Sequence, residues 1–282
     1  PAVKESALWL KNQGFEVDIA PVDEKGFVDV KALASLIRPD TTLVSVMAVN
    51  NEIGSIQPIK AISELLADKP SISFHVDAVQ ALAKIPTEKY LTDRVDFATF
   101  SSHKFHGVRG VGFVYIKSGK KITPLLTGGG QERGYRSTTE NVAGIAATAK
   151  ALRLSMEKLD IFTNKTGQMK SVIRQALLDY PDIFVFSAED DFAPHILIFG
   201  IKGVRGEVIV HAFEDYDIFI STTSACSSKA GKPAGTLIAM GVDKDKAQSA
   251  VRLSLDLEND MSQVEQFLTK LKLIYNQTRK VR

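Results

Sequence analysis

The chain has 282 residues, 44% of them hydrophobic and 24% charged, enough apolar material for one large or two medium-sized cores. Its 35 Lys and Arg nearly balance 33 Asp and Glu, giving a net charge of +2 with no long basic block, so neither a nucleic acid nor an anionic membrane is expected as a direct partner. No apolar run reaches the roughly 18 residues of a membrane span, no charged-then-apolar leader opens the chain, and the single cysteine, Cys226, excludes an internal disulfide framework or a CxxC metal pair; the expected location is the cytoplasm.

The chain opens on PAVKESALWLKNQG, a helical pattern with no strand before it. Strand-like runs then alternate with helical ones: FEVDIA, the helix DVKALASLI, TTLVSVMAV, the helix IKAISELLA, SISFHVDAV, VDFATF and GVGFVYIK. Alternation of this kind predicts an α/β domain with a mostly parallel sheet covered by helices, over residues 1–150. The texture then changes to long helical stretches, ENVAGIAATAKALRLSMEKL and GQMKSVIRQALLDY. A smaller α+β domain is expected over 151–282, built from the strand HILIFGI, the helix GEVIVHAFEDY, the short strand DIFIS, a polar loop around Cys226, the strand AVRLSLD and the closing helix SQVEQFLTKLKLIY.

In an open parallel sheet, ligands bind beyond the carboxyl ends of the strands. After LVSVMAV come Asn50, Asn51 and Glu52; after SISFHV come Asp77 and Gln80; after VDFATF come Ser101, Ser102, His103 and Lys104. A lysine, a carboxylate, amides and hydroxyls are the inventory that holds pyridoxal phosphate: an amine for its aldehyde, an acid for its pyridinium nitrogen, donors for its phosphate. Other readings stay open here. Lys104 can be a solvated strand end, Asp77 a strand-end cap, and His75 with Asp77 a metal pair, although no third ligand follows at suitable spacing.

Cys226 lies in STTSACSSKAGKPAG, a polar, small-residue segment that reads as a mobile loop. Exposure and mobility suit a thiolate nucleophile, which Lys229 and Lys232 could favour, as well as an idle surface thiol. Arg252 is a cation inside an apolar strand pattern and needs an anionic partner: a substrate carboxylate or a structural ion pair. GGGQERGYRSTTEN lacks the strand-turn context of a nucleotide-binding loop.

The segments MAVNNEIGSIQPI, HVDAVQALAKIP, SSHKFHGVRGVGFVYIK, GGGQERGYRSTTEN and SACSS, in this order and approximate spacing, resemble the pyridoxal-phosphate-dependent cysteine desulfurases. These form the NifS/IscS-like group of the class V aminotransferase fold, and the resemblance runs from Pro1 to about Leu255. It implies a fold type I enzyme, with a mostly parallel sheet of the seven-stranded type between helices and a small C-terminal domain carrying the cysteine loop. It further implies that Lys104 is the Schiff-base lysine, Asp77 the pyridinium partner and Gln80 the donor to the ring hydroxyl. Asn51 would touch ring and substrate carboxylate, and Ser101 and His103 would bind the phosphate. Thr139 would reach the cofactor phosphate of the other subunit in a homodimer, and Arg252, in an R-x-S motif with Ser254, would bind the carboxylate of L-cysteine. Cys226 would accept the sulfur as a persulfide and pass it to an acceptor protein for iron–sulfur cluster assembly or for tRNA or cofactor thiolation, with no metal involved. The alternatives are another class V enzyme, such as a selenocysteine lyase or an aminotransferase, and a non-catalytic sulfur-relay module.

The chain departs from the family at Thr138, where glycine is usual, and at LDLEND, where a glycine-containing continuation is usual. In similar proteins the first strand, a phosphate-binding turn and a ring-stacking histidine precede the position of Pro1. This chain is therefore expected to lack those parts, to hold the cofactor weakly or not at all and to have little desulfurase activity.

Overall fold

The computed structural model describes residues 2–188, 190–222 and 235–280. Its contacts divide the chain into two compact units, one of Pro1–Val17, Arg38–Ala48 and Ile59–Leu159, the other of Asp18–Ile37, Val49–Pro58 and Asp160–Arg282. Where the sequence suggests a single division at 150/151, two early segments belong to the second unit. The reason is apolar packing: Val22, Phe27 and Ile53 join a cluster with Phe192, Ile198, Leu237 and Met240.

Helix α1 (Ala2–Asn12) belongs to the first unit and α2 (Val30–Leu36) to the second. Asp29 starts α2 by accepting from the N–H groups of Lys31 and Ala32 at 2.9 and 3.0 Å. The sheet of the first unit holds β1 (Leu43–Met47), β2 (Ser73–Asp77), β3 (Phe97–Ser101) and β4 (Gly112–Ile116) in the order β1-β2-β3-β4. The β1–β2 and β2–β3 pairs are parallel and β3–β4 is antiparallel. Because side chains alternate along a strand, Val44, Val46, Phe74, Val76, Ala98 and Phe100 form one buried face. The opposite face carries the polar residues Ser45, His75, Asp77, Thr99 and Ser101. Helices α3 (Ile59–Leu65) and α4 (Val142–Glu157) complete this unit. FEVDIA is not a strand: Phe15 and Ile19 are 60% and 71% exposed and, among the described residues, no partner strand reaches them, so their β-propensity goes unused.

The sheet's other end is tied by Asp96, only 2% exposed. It accepts from the N–H of Phe74 at 2.9 Å and from Arg94 Nη1 at 2.7 Å, with Lys120 Nζ at 3.3 Å. Arg94 in turn donates to the carbonyls of Leu66, Lys69 and Ile72. Burial disfavours the Asp96 anion, but the Phe74 N–H, Arg94 and Lys120 outweigh it and hold the carboxyl below its usual range. Asp96→Ala, which strands Arg94, is expected to destabilise the protein by about 3–5 kcal/mol in urea unfolding, and a loss under about 1 kcal/mol would refute the role. Since the folded-state value is depressed, this stabilisation is present above the unfolded carboxyl value near 3.9 and is lost as pH falls through the lower folded value.

The second unit holds an antiparallel sheet of β5 (Ile183–Val185), β6 (Ile196–Ile201), β7 (Ser221–Thr222) and β8 (Ala250–Ser254), in the order β5-β6-β8-β7. DIFIS contributes only its final serine to β7. Around this sheet lie α5 (Leu159–Leu178), α6 (Gly206–Glu214), α7 (Gly235–Ala239), α8 (Lys244–Gln248) and α9 (Met261–Lys280). Phe213 of α6 stacks on Phe267 of α9 at 4.9 Å within the core built on Leu197, Phe199 and Leu253.

Candidate active site

Because β2 and β3 are parallel neighbours, their carboxyl ends lie at one edge of the first unit's sheet, with Asp77 opposite Thr99. Asp77 ends β2, and its Oδ1 accepts from the N–H of Val79 at 3.1 Å. Among the described residues Oδ2 has no hydrogen-bond partner. Gln80 follows, half-buried, in the turn after the strand. Ser101 ends β3, and Lys104 lies in the 3₁₀ turn Ser102–Phe105 that continues it.

This turn is fixed at several points. The N–H of Ser102 donates to Val111 O and that of Gly107 to Ser102 O, both at 3.0 Å. His106 takes a left-handed φ of 64° to close it. A Cβ on Gly107 would lie 1.9 Å from Ser102 Oγ, so only glycine fits there. Thr148 Oγ1 donates its proton to Gly144 O at 2.7 Å, so in the 2.9 Å bond between Ser102 and Thr148 the serine is the donor. Ser155 Oγ adds a bond to Phe105 O at 3.1 Å. Helix α4 is thus the floor of the lysine turn. The Lys104 side chain is half-buried, and His103 is exposed. The anchors Thr148 and Ser155 were not legible in sequence, since hydroxyls about 46 and 50 residues from their partners carry no local signal.

His75 occupies the position before Asp77 on the same face. Its Nδ1 lies 2.7 Å from Ser45 Oγ on β1 and its Nε2 3.1 Å from Thr99 Oγ1 on β3. Burial pushes its titration below the usual histidine value, with the Asp77 charge pulling the other way. With both ring nitrogens engaged by hydroxyls, neither points at a metal. Among the described residues no group of three or more His, Cys, Asp or Glu could hold one.

Thr139 lies exposed in the first unit, just before Asn141, whose Oδ1 caps α4 by accepting from Gly144 N–H at 3.0 Å. Thr138 is not among the residues with positive φ, so the usual glycine is not needed there. The left-handed stretch falls earlier, at Glu132, Arg133 and Gly134, with φ of 50°, 56° and 83°. Leu125, Val142 and Ile145 nearby are 94%, 71% and 45% exposed.

In the second unit, Asn50 Oδ1 accepts from the N–H groups of Glu52 and Ile53 at 2.8 and 3.1 Å, turning the chain at Asn51. Arg252 Nη1 donates to Asn51 O at 2.9 Å, which brings these two candidate residues together. Ser221 of β7 pairs opposite Arg252, and Thr236 N–H lies 3.4 Å from Glu52 Oε2. Cys226, with Lys229 and Lys232, lies outside the described residues.

The residues of the first unit fit pyridoxal phosphate. Lys104 offers an amine on a rigid turn, Asp77 a carboxylate oxygen without a partner among the described residues, and Ser101, His103 and Gln80 polar groups at the same edge. When bound, this cofactor supplies an electron sink for an attached amino acid.

A family model described as aminotransferase class-V matches residues 2–267. A "NifS/IcsS protein homolog" of Lactobacillus delbrueckii subsp. bulgaricus is 50% identical over 273 residues, covering 96% of this chain and 71% of the relative. A "Cysteine desulfurase IscS" of Clostridium botulinum is 39% identical over 284 residues, covering 99% of this chain and 71% of the relative. Among solved structures, a "NIFS-LIKE PROTEIN" superposes with a TM-score of 0.89 at 37% identity, over 98% of this chain and 72% of that one.

Proposed function

The chain belongs to the class V aminotransferase family, and from that premise we propose that it is a pyridoxal-phosphate-dependent cysteine desulfurase, converting L-cysteine to L-alanine and carrying the sulfur as a persulfide on Cys226. The observation that carries the reading is the pairing of an acid and an amine, Asp77 and Lys104, at the carboxyl ends of the adjacent parallel strands β2 and β3. Asp77 holds a proton on the cofactor's ring nitrogen. Lys104 anchors the cofactor and, once displaced by the substrate, moves a proton at Cα. Gln80, Ser101 and His103 orient ring and phosphate, while Asn51 and Arg252 bind the substrate carboxylate.

The Cys226 thiolate attacks the substrate sulfur. A sulfur–sulfur bond forms, the carbon–sulfur bond breaks with its electron pair left on carbon, and a proton taken there completes alanine. The persulfide then passes to an acceptor protein in iron–sulfur cluster assembly or tRNA thiolation, in the cytoplasm. Among the described residues no helix is long and apolar enough to cross a membrane. The test is to supply the protein with cofactor and L-cysteine and measure alanine and reductant-released sulfide. Equal amounts of both support the reading; pyruvate or a keto acid with no sulfide overturns it.

The working unit in this reading is a homodimer built through the GGGQERGYRSTTEN segment, residues 128–141, with Thr139 completing the neighbour's phosphate site. The exposure of Leu125, Val142 and Ile145, which flank this segment in sequence, supports it, since large apolar side chains in water favour a partner. Val142→Asp is expected to shift the protein to monomer in light scattering at micromolar concentration. A wild-type protein that is already monomeric would contradict the dimer.

A further inference from the structure

His75 has no part in the chemistry described so far, yet it bridges three strands directly behind Asp77. The imidazole joins Ser45 of β1 and Thr99 of β3 at 2.7 and 3.1 Å, so the end of β2 is held between both neighbours. One position onward on the same face stands Asp77, with Oδ1 turned to the Val79 N–H and Oδ2 left for another partner. On that face neither β1, β3 nor β4 presents a charged side chain, so Asp77 is the charge that His75 meets within the sheet. A neutral imidazole leaves the whole Asp77 charge available; an imidazolium would share it.

We propose that His75 is a positioning residue for Asp77: as a neutral clamp across β1, β2 and β3 it fixes the carboxylate and leaves its charge to the cationic ring nitrogen of the cofactor. The inference rests on the cofactor reading above. Ser45 and Thr99 are part of the device, because hydroxyls can donate or accept and so satisfy the ring without supplying charge. Burial acts in the same sense by resisting protonation, while the Asp77 charge opposes it.

The coupling is measurable without cofactor. Histidine ring resonances of the 282-residue protein are titrated by NMR, with His75 assigned through His75→Gln. The expected midpoint lies below 6.5, the ordinary value. In Asp77→Asn it falls further, by about 0.5 to 2 pH units, the Coulomb range for unit charges roughly 6.6 Å apart on alternate strand positions. A midpoint unchanged by Asp77→Asn, or one above the ordinary value in the wild type, overturns the proposal.

A second arm titrates pyridoxal phosphate into wild type, His75→Ala and His75→Gln. Affinity is expected to fall about ten- to hundredfold in His75→Ala, the scale seen when the support behind a ligand is removed, with partial recovery in His75→Gln. A lower melting temperature with unchanged affinity would make His75 structural only and overturn the proposal. Absence of any covalent adduct on Lys104 in the wild type even at millimolar pyridoxal phosphate would instead defeat the cofactor reading itself, which the NMR arm does not depend on.

Discussion

Lys104→Ala is expected to abolish covalent retention of pyridoxal phosphate and to lower desulfurase turnover by at least about three orders of magnitude. A positioned proton-transfer group alone contributes about 10²- to 10⁴-fold, and the same side chain is also the anchor. No neighbour can take over: the turn is held by Ser102, Gly107 and Ser155, so the backbone cannot carry another amine into the position of Lys104. The Lys104 side chain makes no hydrogen bond or ion pair among the described residues, so its removal should leave folding intact and melting nearly unchanged. Borohydride reduction followed by peptide mapping checks this. Label on the Lys104 peptide in the wild type and none in Lys104→Ala is expected; a reducible adduct surviving in Lys104→Ala would sink the assignment.

Cys226→Ser is expected to remove sulfur transfer by about three orders of magnitude or more, as when a covalent nucleophile is lost, while leaving cofactor binding unchanged. A hydroxyl is not ionised near neutral pH and does not attack sulfur as a thiolate does. The contrast with Lys104→Ala separates the two roles, one on the cofactor and one on the sulfur. A protein that still formed its carbon product at the wild-type rate would be a lyase or aminotransferase of the same family, since neither chemistry needs this thiol.

Much of the first sheet was legible, because β1, β2 and β3 are short apolar runs separated by helical patterns, and their polar ends are where ligands bind in such sheets. Asp77 and Lys104 stood out for that reason. FEVDIA carried the same local signal without becoming a strand, since strand formation needs a neighbour and Phe15 and Ile19 have none among the described residues. The assignment of 18–37 and 49–58 to the second unit was hidden too, because it depends on where Val22, Phe27 and Ile53 find a core. Arg252 was conspicuous as a charge in a strand, but its bond to Asn51 O joins residues 201 positions apart and has no local trace. His75 looked like half of a metal pair in sequence; the hydroxyls that engage both of its ring nitrogens come from two other strands and have no local trace.

The most direct measurement of desulfurase chemistry is the chemical state of Cys226 after a single turnover. Protein supplied with pyridoxal phosphate is mixed with one equivalent of L-cysteine, quenched with an alkylating agent, digested and read by mass spectrometry. The expected result is a Cys226 peptide heavier by one sulfur atom, reversed by a reductant and absent in Lys104→Ala. An unmodified Cys226 peptide alongside a full equivalent of alanine would contradict it.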